Sequence, residues 1–263
     1  LKTLKKKLYW NAKEIATEVT SISTSHDHES LLYTTIAELK FIRVAVNSSE
    51  VIDTRRIERG SKIVTLVKDK AQVIFQLPRG NLETISPRIL SMRIIKKHLE
   101  LSNYRLAFDI LRKERINLNL LLDLNPTKFI NELEEFILQI DNINWLNLFL
   151  TELRNEDVTV TMYKFCEASP QHLIDGYTVD NKSSFICKKM LEIFNCLDAK
   201  KYLLPSITCH VKNESFEDAL QVIWELKKSK SADKEADDAL KYLLYLIDIN
   251  LLYNVALGLY DYQ

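Results

Sequence analysis

The chain has 263 residues, of which 46% are hydrophobic and 27% charged, and its 36 basic and 36 acidic side chains cancel. This composition is that of a globular protein, and the zero net charge excludes a general attraction to nucleic acid or to anionic membranes. Only 4 Gly and 5 Pro occur, where average usage would give about 18 and about 13, so long helices are favoured over a turn-dense all-β fold.

Residues 1–77 predict short β-strands. Apolar and polar side chains alternate in Lys62–Val67 and again in Gln72–Leu77, which is the pattern of half-buried strands. The predicted strands lie at 7–10, 14–21, 31–35, 38–46, 51–53, 61–67 and 71–77, and residues 68–70 form a hairpin loop between the last two. This spacing fits a propeller, barrel or sandwich, and the length matches one to two propeller blades of about 40–45 residues each.

The hydrophobic period changes between Pro78 and Arg88. After this stretch apolar residues recur every three or four positions, as in an amphipathic helix. Pro78 ends the last strand by removing a hydrogen-bond donor, Gly80 allows a turn, and Pro87 suits a first helical turn. The predicted structural junction comprises Pro78, Arg79, Gly80, Asn81 and Pro87. We therefore predict a β region over residues 1–80 and a helical region over residues 81–263.

The remainder of the chain predicts helices. They are expected at 87–99, 103–115, 115–126, 127–140, 142–153, 183–197, 199–211, 215–229, 236–247 and 250–257. Asn117 and Asn119 interrupt a leucine run in the third of these, and Asn125-Pro126 marks a helix start with proline in the first turn. Loops are expected at 164–181 and 228–238. Helix pairs of 30–40 residues with short connections favour an irregular, TPR-like α-solenoid.

No stretch of the sequence predicts an active site. His26 and His28 form the densest group of metal-ligand types, but they would point to opposite faces of a strand, so a solvated loop is favoured. Cys209 and His210 diverge on a helix and cannot pair. Phosphate-loop, dinucleotide, zinc-protease and hydrolase motifs do not occur. We predict no catalytic residue, no cofactor and no metal site, and therefore a protein that is not an enzyme.

Other residue clusters have structural explanations. Cys166, Cys187, Cys196 and Cys209 contain no C-x-x-C pair, which indicates reduced, buried thiols in a cytosolic or nuclear protein. Two basic runs occur, one of Lys2, Lys5, Lys6 and Lys7 and one of Lys96 and Lys97. They lack interleaved aromatic residues, so nucleic-acid binding is a weak alternative.

The apolar window Tyr242–Leu259 contains Asp248, which favours buried helices over a membrane span. Its tyrosines, with Tyr260 and Tyr262, are expected in a core and a helix-packing interface.

Several long stretches resemble the Elongator complex protein 1 family, the largest scaffold subunits of the Elongator complex. The resemblance rests on LPRGNLETISPR (Leu77–Arg88), RINLNLLLDLNPTKF (Arg115–Phe129) and QIDNINWLNLFLTEL (Gln139–Leu153). It continues in EDVTVTMY (Glu156–Tyr163) and in the final 25 residues, Ala239–Gln263. Within the second motif the matching residues are Arg115, Asn117, Asn119, Asn125 and Pro126. The two predicted loops do not follow the family pattern.

The resemblance implies that the chain joins the last part of a second β-propeller to the first helices of a long α-solenoid. It also implies a non-catalytic platform for the second and third Elongator subunits, which supports carboxymethyl-type modification of the wobble uridine of tRNAs. Homodimerisation would use a C-terminal region outside this chain, and tRNA would be reached indirectly, through the complex. No membrane partner is expected. The implied location is cytoplasmic, with the nucleus as an alternative.

Two other functions are compatible with the same architecture. Vesicle-coat and nuclear-pore scaffolds share the order of propeller and solenoid, and fold alone does not separate them from an Elongator scaffold. The third alternative is an enzyme or a protein that binds tRNA directly, which would show a steep salt dependence of binding.

Overall fold

The computed structural model of the chain describes residues 2–4, 6–10, 13–24, 30–44, 49–67, 70–163, 175–228 and 233–259. Two compact units divide between His98 and Leu99. The first contains antiparallel strands and most of one helix, and the second is helical. This order of elements confirms the predicted fold class. Across the ranges given above, none of the helices has both the length and the hydropathy that crossing a bilayer requires.

Ten strands of the described ranges build three antiparallel sheets in the first unit. The strands are β1 (Lys2–Leu4), β2 (Lys7–Trp10), β3 (Lys13–Ala16), β4 (Ser21–Thr24), β5 (Ser30–Thr34), β6 (Glu38–Val44), β7 (Ser49–Arg56), β8 (Lys62–Leu66), β9 (Val73–Gln76) and β10 (Leu82–Ile85). The sheets follow chain order as β1-β2-β3, β4-β5-β6-β7 and β8-β9-β10. Each strand pairs with its sequence neighbour within a sheet, as in successive blades of a propeller.

The middle sheet is buried on both faces. Leu31 and Tyr33 of β5 pack in one core with Leu8 of β2, whereas Leu32 between them packs in another core with Phe75 of β9. Because successive side chains of a strand point to opposite faces, a single strand contributes to both cores. A side-chain bond also joins two sheets, since the amide of Ile63 donates to Ser21 Oγ at 2.7 Å.

The strand predictions need three corrections. Residues 14–21 form two strands in different sheets, not one, because Glu18 has a left-handed backbone (φ 57°) and turns the chain between β3 and β4. The described strands form three sheets, where the length of the segment predicted one to two blades. The chain also forms a further strand, β10, after Pro78, so this proline does not end the last strand.

Twelve helical segments follow within the described ranges. They are α1 (Arg88–Glu100), α2 (Tyr104–Lys113), α3 (Leu120–Asp123), α4 (Pro126–Asn131), α5 (Leu133–Ile140), α6 (Ile143–Glu152), α7 (Val158–Thr161), α8 (Lys182–Leu197), α9 (Leu203–Lys212), α10 (Phe216–Lys228), α11 (Asp233–Leu246) and α12 (Ile249–Gly258). The amino-terminal part of α1 belongs to the first unit, where Leu90 packs in the same core as Phe41, Val73 and Phe75.

Aromatic side chains form the core between α2 and α6. The cluster consists of Tyr104, Phe108, Phe129, Phe136, Trp145 and Phe149. The ring of Phe108 stacks on Trp145 with 5.6 Å between centroids, and the guanidinium of Arg105 lies 4.1 Å from the centre of the same indole ring. Contacts of these kinds stabilise a protein beyond the burial of apolar area, so this cluster contributes packing energy to the second unit.

The last helices pack around α9. Ile207 of α9, Ile223 of α10, Leu243 of α11 and Leu252 of α12 are buried in one core. Tyr242, half-buried, shares a 2.8 Å hydrogen bond with Thr208, whereas Tyr245 and Tyr253 are exposed. Tyr242 therefore has the expected core role, whereas a helix-packing interface at Tyr245 and Tyr253 stays a prediction. Tyr260 and Tyr262 lie outside the described residues.

Several helix predictions also change. Within the predicted helix 115–126, Leu120–Asp123 is helical and Pro126 begins α4. The short helix α7 was not predicted, and α9 begins at Leu203, not at residue 199. The expected loop at 228–238 is shorter, because α11 begins at Asp233. Residues 164–174 of the other expected loop lie outside the described residues, and 175–181 form turns. The predicted start at Asn125-Pro126 is confirmed, since Asn125 caps α4 and Pro126 occupies its first turn.

The orientation of α2 can be tested with two neighbouring charge substitutions. Phe108 is 0% exposed and Leu106 is 52% exposed. Phe108→Asp should lower the free energy of unfolding by about 4 kcal/mol or more, because it removes ring contacts and buries an unpaired charge. Leu106→Asp should change it by about 0.5 kcal/mol or less. Thermal melts followed by circular dichroism at 222 nm measure both, and equal melting temperatures would contradict this orientation.

Candidate functional site

The predicted junction is a β-hairpin turn. The amide of Leu77 donates to the carbonyl of Asn81 at 2.8 Å, and the amide of Gly80 donates to that of Leu77 at 2.9 Å. Gly80 has φ +89°, and a Cβ added to it would meet nothing within 4 Å, so its backbone angle, not lack of space, favours glycine here. The residues Pro78, Arg79 and Asn81 complete the exposed turn between β9 and β10. The predicted division between residues 80 and 81 falls inside this hairpin.

Pro87 lies at the start of α1, where the prediction placed it. Its carbonyl accepts hydrogen bonds from the amides of Leu90 at 3.0 Å and Ser91 at 3.3 Å. The ring of Pro87 is buried, and because proline has no backbone N–H, one fewer donor lacks a partner at the beginning of the helix.

Arg115 ends helix α2 in a left-handed conformation, with φ 52°. The amide of Ile116 donates to the carbonyl of Leu111 at 2.8 Å, and the amide of Arg115 donates to that of Arg112 at 3.3 Å. These two bonds define a Schellman motif, which satisfies the last carbonyls of a helix. Helix α2 therefore ends here, and the leucine run after Arg115 belongs to a separate segment that leads to α3.

Asn119 is the centre of a polar network. Its side chain is 1% exposed, and its Nδ2 donates to the carbonyl of Glu152 at 2.8 Å while its Oδ1 accepts from the amide of Arg154 at 3.0 Å. Asn117 Oδ1 in turn accepts from the backbone amide of Asn119 at 2.9 Å. Since one amide group supplies both a donor and an acceptor, Asn119 holds the chain where α6 ends.

A buried ion pair lies next to this network. Lys182 is 0% exposed and Asp123 is 3% exposed, and Lys182 Nζ lies 2.7 Å from Asp123 Oδ1. The second carboxylate oxygen accepts from the amide of Val158 at 2.9 Å, and Lys182 Nζ also donates to the carbonyl of Glu156 at 2.7 Å. The pair therefore joins α3, the start of α7 and the start of α8. Sequence reasoning missed it, although the aspartate at the end of the apolar run Leu120–Leu122 was a signal of a buried partner.

Burial and the neighbouring charges act on the Asp123 carboxyl in opposite directions. Burial raises its pKa to about 6, while the ammonium of Lys182 and the amide of Val158 lower it. At pH 7 the group is consequently ionised and paired. Replacing either partner leaves a buried charge without its counter-ion, which is among the most costly changes in a protein interior.

The groups with potential chemistry lie apart from this network. Cys187 and Cys209 are buried and free, whereas Cys196 is exposed, so the prediction that all thiols are buried is wrong for Cys196. Burial, with the Cys187 thiol as its hydrogen-bonding neighbour, raises the pKa of the Cys209 thiol well above its usual value, which makes it a poor nucleophile. His26, His28 and Cys166 lie outside the described residues. Within the described part of the chain, His, Cys, Asp and Glu form no group of three or more that could hold a metal ion.

The basic runs show few described contacts. Lys7 Nζ lies 2.9 Å from Glu14 Oε2 on the neighbouring strand, so this lysine is part of an ion pair at the surface. Lys96 is half-buried and Lys97 is exposed on α1. Nucleic-acid binding through these lysines stays the weaker alternative.

Two family models match the two parts of the chain. The model of the ELP1 alpha-solenoid matches residues 88–263, and the model of the ELP1 N-terminal second beta-propeller matches residues 3–64. The chain belongs to the Elongator complex protein 1 family. The resemblance inferred from the five sequence motifs is thereby confirmed, together with the order of propeller strands and solenoid helices.

Curated relatives in this family extend well beyond the chain. Elongator complex protein 1 of Drosophila melanogaster is 40% identical over 256 residues, which cover 97% of the chain and 20% of the relative. The mouse protein is 37% identical over 274 residues, which cover 98% of the chain and 20% of the relative. The Saccharomyces cerevisiae protein is 35% identical over 289 residues, which cover 97% of the chain and 21% of the relative. The chain thus spans about a fifth of the length of these Elongator complex protein 1 relatives.

The buried pair can be tested with a double-mutant cycle. At pH 7, Lys182→Met should lower the free energy of unfolding by about 3–5 kcal/mol, because it leaves the carboxylate of Asp123 buried without its counter-ion. Asp123→Asn should lower it less, because folding favours the neutral form of the Asp123 side chain. The double variant should lose less than the sum, since the asparagine oxygen still accepts from Val158 and neither charge remains. Urea denaturation measures all four proteins.

An exposed pair on the same helix provides the control. Lys189 and Glu192 of α8 lie 3.0 Å apart with side chains 46% and 66% exposed, so the cycle of Lys189→Met and Glu192→Gln should give a coupling below about 1 kcal/mol. Additive losses at residues 123 and 182 would show that the buried pair is not an interacting unit.

The raised pKa of Asp123 predicts a dependence of stability on pH. The carboxyl has a pKa of about 6 in the folded protein and of about 3.9 in the unfolded chain, so the folded state binds the proton more tightly. The stabilising contribution of this carboxyl to the free energy of unfolding is therefore fully present below about pH 4, and it is lost as the pH rises to about 6. Relative to Asp123→Asn, the free energy of unfolding of the unmodified protein should fall by about 3 kcal/mol over this range. Urea denaturation at four pH values measures the difference in unfolding free energy between the two proteins. A rise of this difference with pH would refute the prediction.

Proposed function

We propose that this chain is a non-catalytic scaffold segment of the Elongator complex. Its membership of the Elongator complex protein 1 family carries the proposal. In this role it organises the second and third subunits, and through them it supports carboxymethyl-type modification of the wobble uridine in tRNA. Contact with tRNA is indirect, and homodimerisation uses a region outside the chain. The cytoplasm is the proposed location, with the nucleus as an alternative.

The architecture of the described residues supports a mechanical role. In the second unit a hydrophobic core, a buried ion pair and an aromatic cluster fix the helices relative to one another. Buried polar groups with complete hydrogen-bond partners make a structure rigid. Rigid solenoid surfaces suit the binding of several proteins in a fixed arrangement.

Exposed apolar side chains on the last two helices also support contact with further protein. On α11 and α12, Tyr245 is 87% exposed, Ile249 is 65% exposed and Tyr253 is 63% exposed. Large apolar surfaces of soluble proteins commonly mark contacts with other protein surfaces. The described residues therefore combine a rigid interior with a surface suited to assembly.

Deletion of residues 99–263 from the full-length protein, which leaves the first unit complete, tests the proposal. The second and third Elongator subunits should co-purify less, and mass spectrometry of tRNA should show a loss of the wobble-uridine modification. The full-length protein with Leu106→Asp, which changes only an exposed side chain, is the control and should keep both. Unchanged assembly and modification after the deletion would overturn the proposal. Retained assembly without modification would also overturn it, by indicating a direct part in the chemistry.

A further inference from the structure

The third sheet has one strand fewer than the second. The second sheet has the order β4-β5-β6-β7, and the third has the order β8-β9-β10. Their first strands are neighbours, because β4 contacts β8 and the amide of Ile63 on β8 donates to Ser21 Oγ on β4 at 2.7 Å. Counted from this side, β9 corresponds to β5 and β10 corresponds to β6. Among the described strands, none corresponds to β7.

The two corresponding strands differ in burial. Leu39, Phe41 and Ile42 of β6 are buried, and β7 pairs with β6 along its whole length. In β10, residues 82–84 are exposed, and Leu82 is 68% exposed. The residue types of β10, which include Leu, Thr and Ile, suit a strand that is paired on both sides.

The backbone of β10 directs hydrogen-bonding groups to its free edge. The amide of Leu77 donates to the carbonyl of Asn81 at 2.8 Å, and in an antiparallel pair every second residue pair exchanges such bonds. In this register Glu83 therefore bonds to β9 through its main chain. The N–H and C=O groups of Leu82 and Thr84 point the other way, where the described strands supply no partner. An added strand would satisfy them through main-chain hydrogen bonds.

The described residues after β10 do not supply this strand. The chain continues from Ile85 into α1, which begins at Arg88, and the further elements of the described ranges are helices up to Gly258. A strand in the position of β7 therefore has to come from outside the described residues.

The family of the chain indicates the source of the strand. A propeller arranges about 4–8 sheets in a ring, and the described residues form three. Because helices follow the third sheet, the remaining sheets would precede β1 in the full-length protein, and the ring would bring them next to β10. The chain covers 20% of the Drosophila melanogaster relative, so the full-length protein has room for these sheets.

We propose that a strand from an earlier part of the same polypeptide pairs antiparallel with the free edge of β10 and completes the third sheet. Its main chain binds the N–H and C=O groups of Leu82 and Thr84. Its side chains alternate, and the apolar ones lie on the face where Ile85 packs against the core of Phe75. This inference goes beyond the proposed function, because the pairing forms within one polypeptide whether or not other subunits bind.

Photo-crosslinking in the full-length protein, purified without the other Elongator subunits, tests the inference. The photoreactive amino acid p-benzoylphenylalanine replaces Leu82 on β10 or, as the matched control, Val51, which is 49% exposed on β7. Mass spectrometry should join position 82 to one segment of the same polypeptide that precedes β1, and position 51 should not join this segment. A crosslink to residues after α12, to a second copy or to nothing would overturn the inference. So would a crosslink that forms only after the other subunits are added.

Hydrogen exchange of single amides in the same protein provides a second measurement. The amides of Leu82 and Thr84 should exchange about as slowly as that of Glu83, because both edges of β10 are paired. On an open edge they would exchange faster by on the order of 100-fold, and this result would overturn the inference. Since both measurements use the protein without other subunits, their failure leaves the proposed function untouched.

A proline substitution distinguishes the two edges of β10. Thr84→Pro removes the N–H that points away from β9, a change that a free edge tolerates, so it should lower the crosslink yield about fivefold or more by displacing the added strand. Thr84→Ala keeps this N–H and should keep the yield. An unchanged yield with Thr84→Pro would refute the proposed pairing. If this variant does not fold, the exchange rates of Leu82 and Thr84 in the unmodified protein decide the question.

Discussion

The buried pair of Lys182 and Asp123 is the constraint on which the path of the helical unit depends. It joins residues 59 positions apart, and the desolvation of two charges is offset only if the geometry and the remaining hydrogen bonds are complete. The carbonyl of Glu156 and the amide of Val158 supply those bonds. Asn119 holds the adjoining residues 152 and 154. Side chains from one short stretch, residues 119–123, therefore determine the course of the connection between α6 and α7.

Different side chains supply the packing energy of the helical unit and the specificity of its fold. The aromatic cluster around Phe108 and Phe136 buries large apolar surfaces, which is the main source of stability but tolerates related packings. The polar network has few alternatives, because a shifted register would leave a charge or an amide buried without a partner. A scaffold that must present partner sites at fixed positions benefits from the second property as much as from the first.

Hydrophobic periodicity predicted the order of strands and helices, because burial of one face gives a direct signal in the sequence. It placed α8 and α10 within one or two residues. It missed features that depend on contacts distant in sequence or on backbone angles of ordinary residues. Glu18 takes a left-handed angle where glycine would be the usual indicator, so the turn after β3 was not recognised. The Lys182 partner of Asp123 arises only from tertiary packing, and no local pattern encodes it.

The position of Leu90 has a consequence for the autonomy of folding. The solenoid family model begins at residue 88, yet Leu90 is buried in the core of the β unit, which extends to His98. Ancestry and cooperativity therefore divide this polypeptide at different places. The first turns of α1 are solenoid by descent, but thermodynamically they belong to the sheets, and a boundary drawn by homology would cut through a single folding unit.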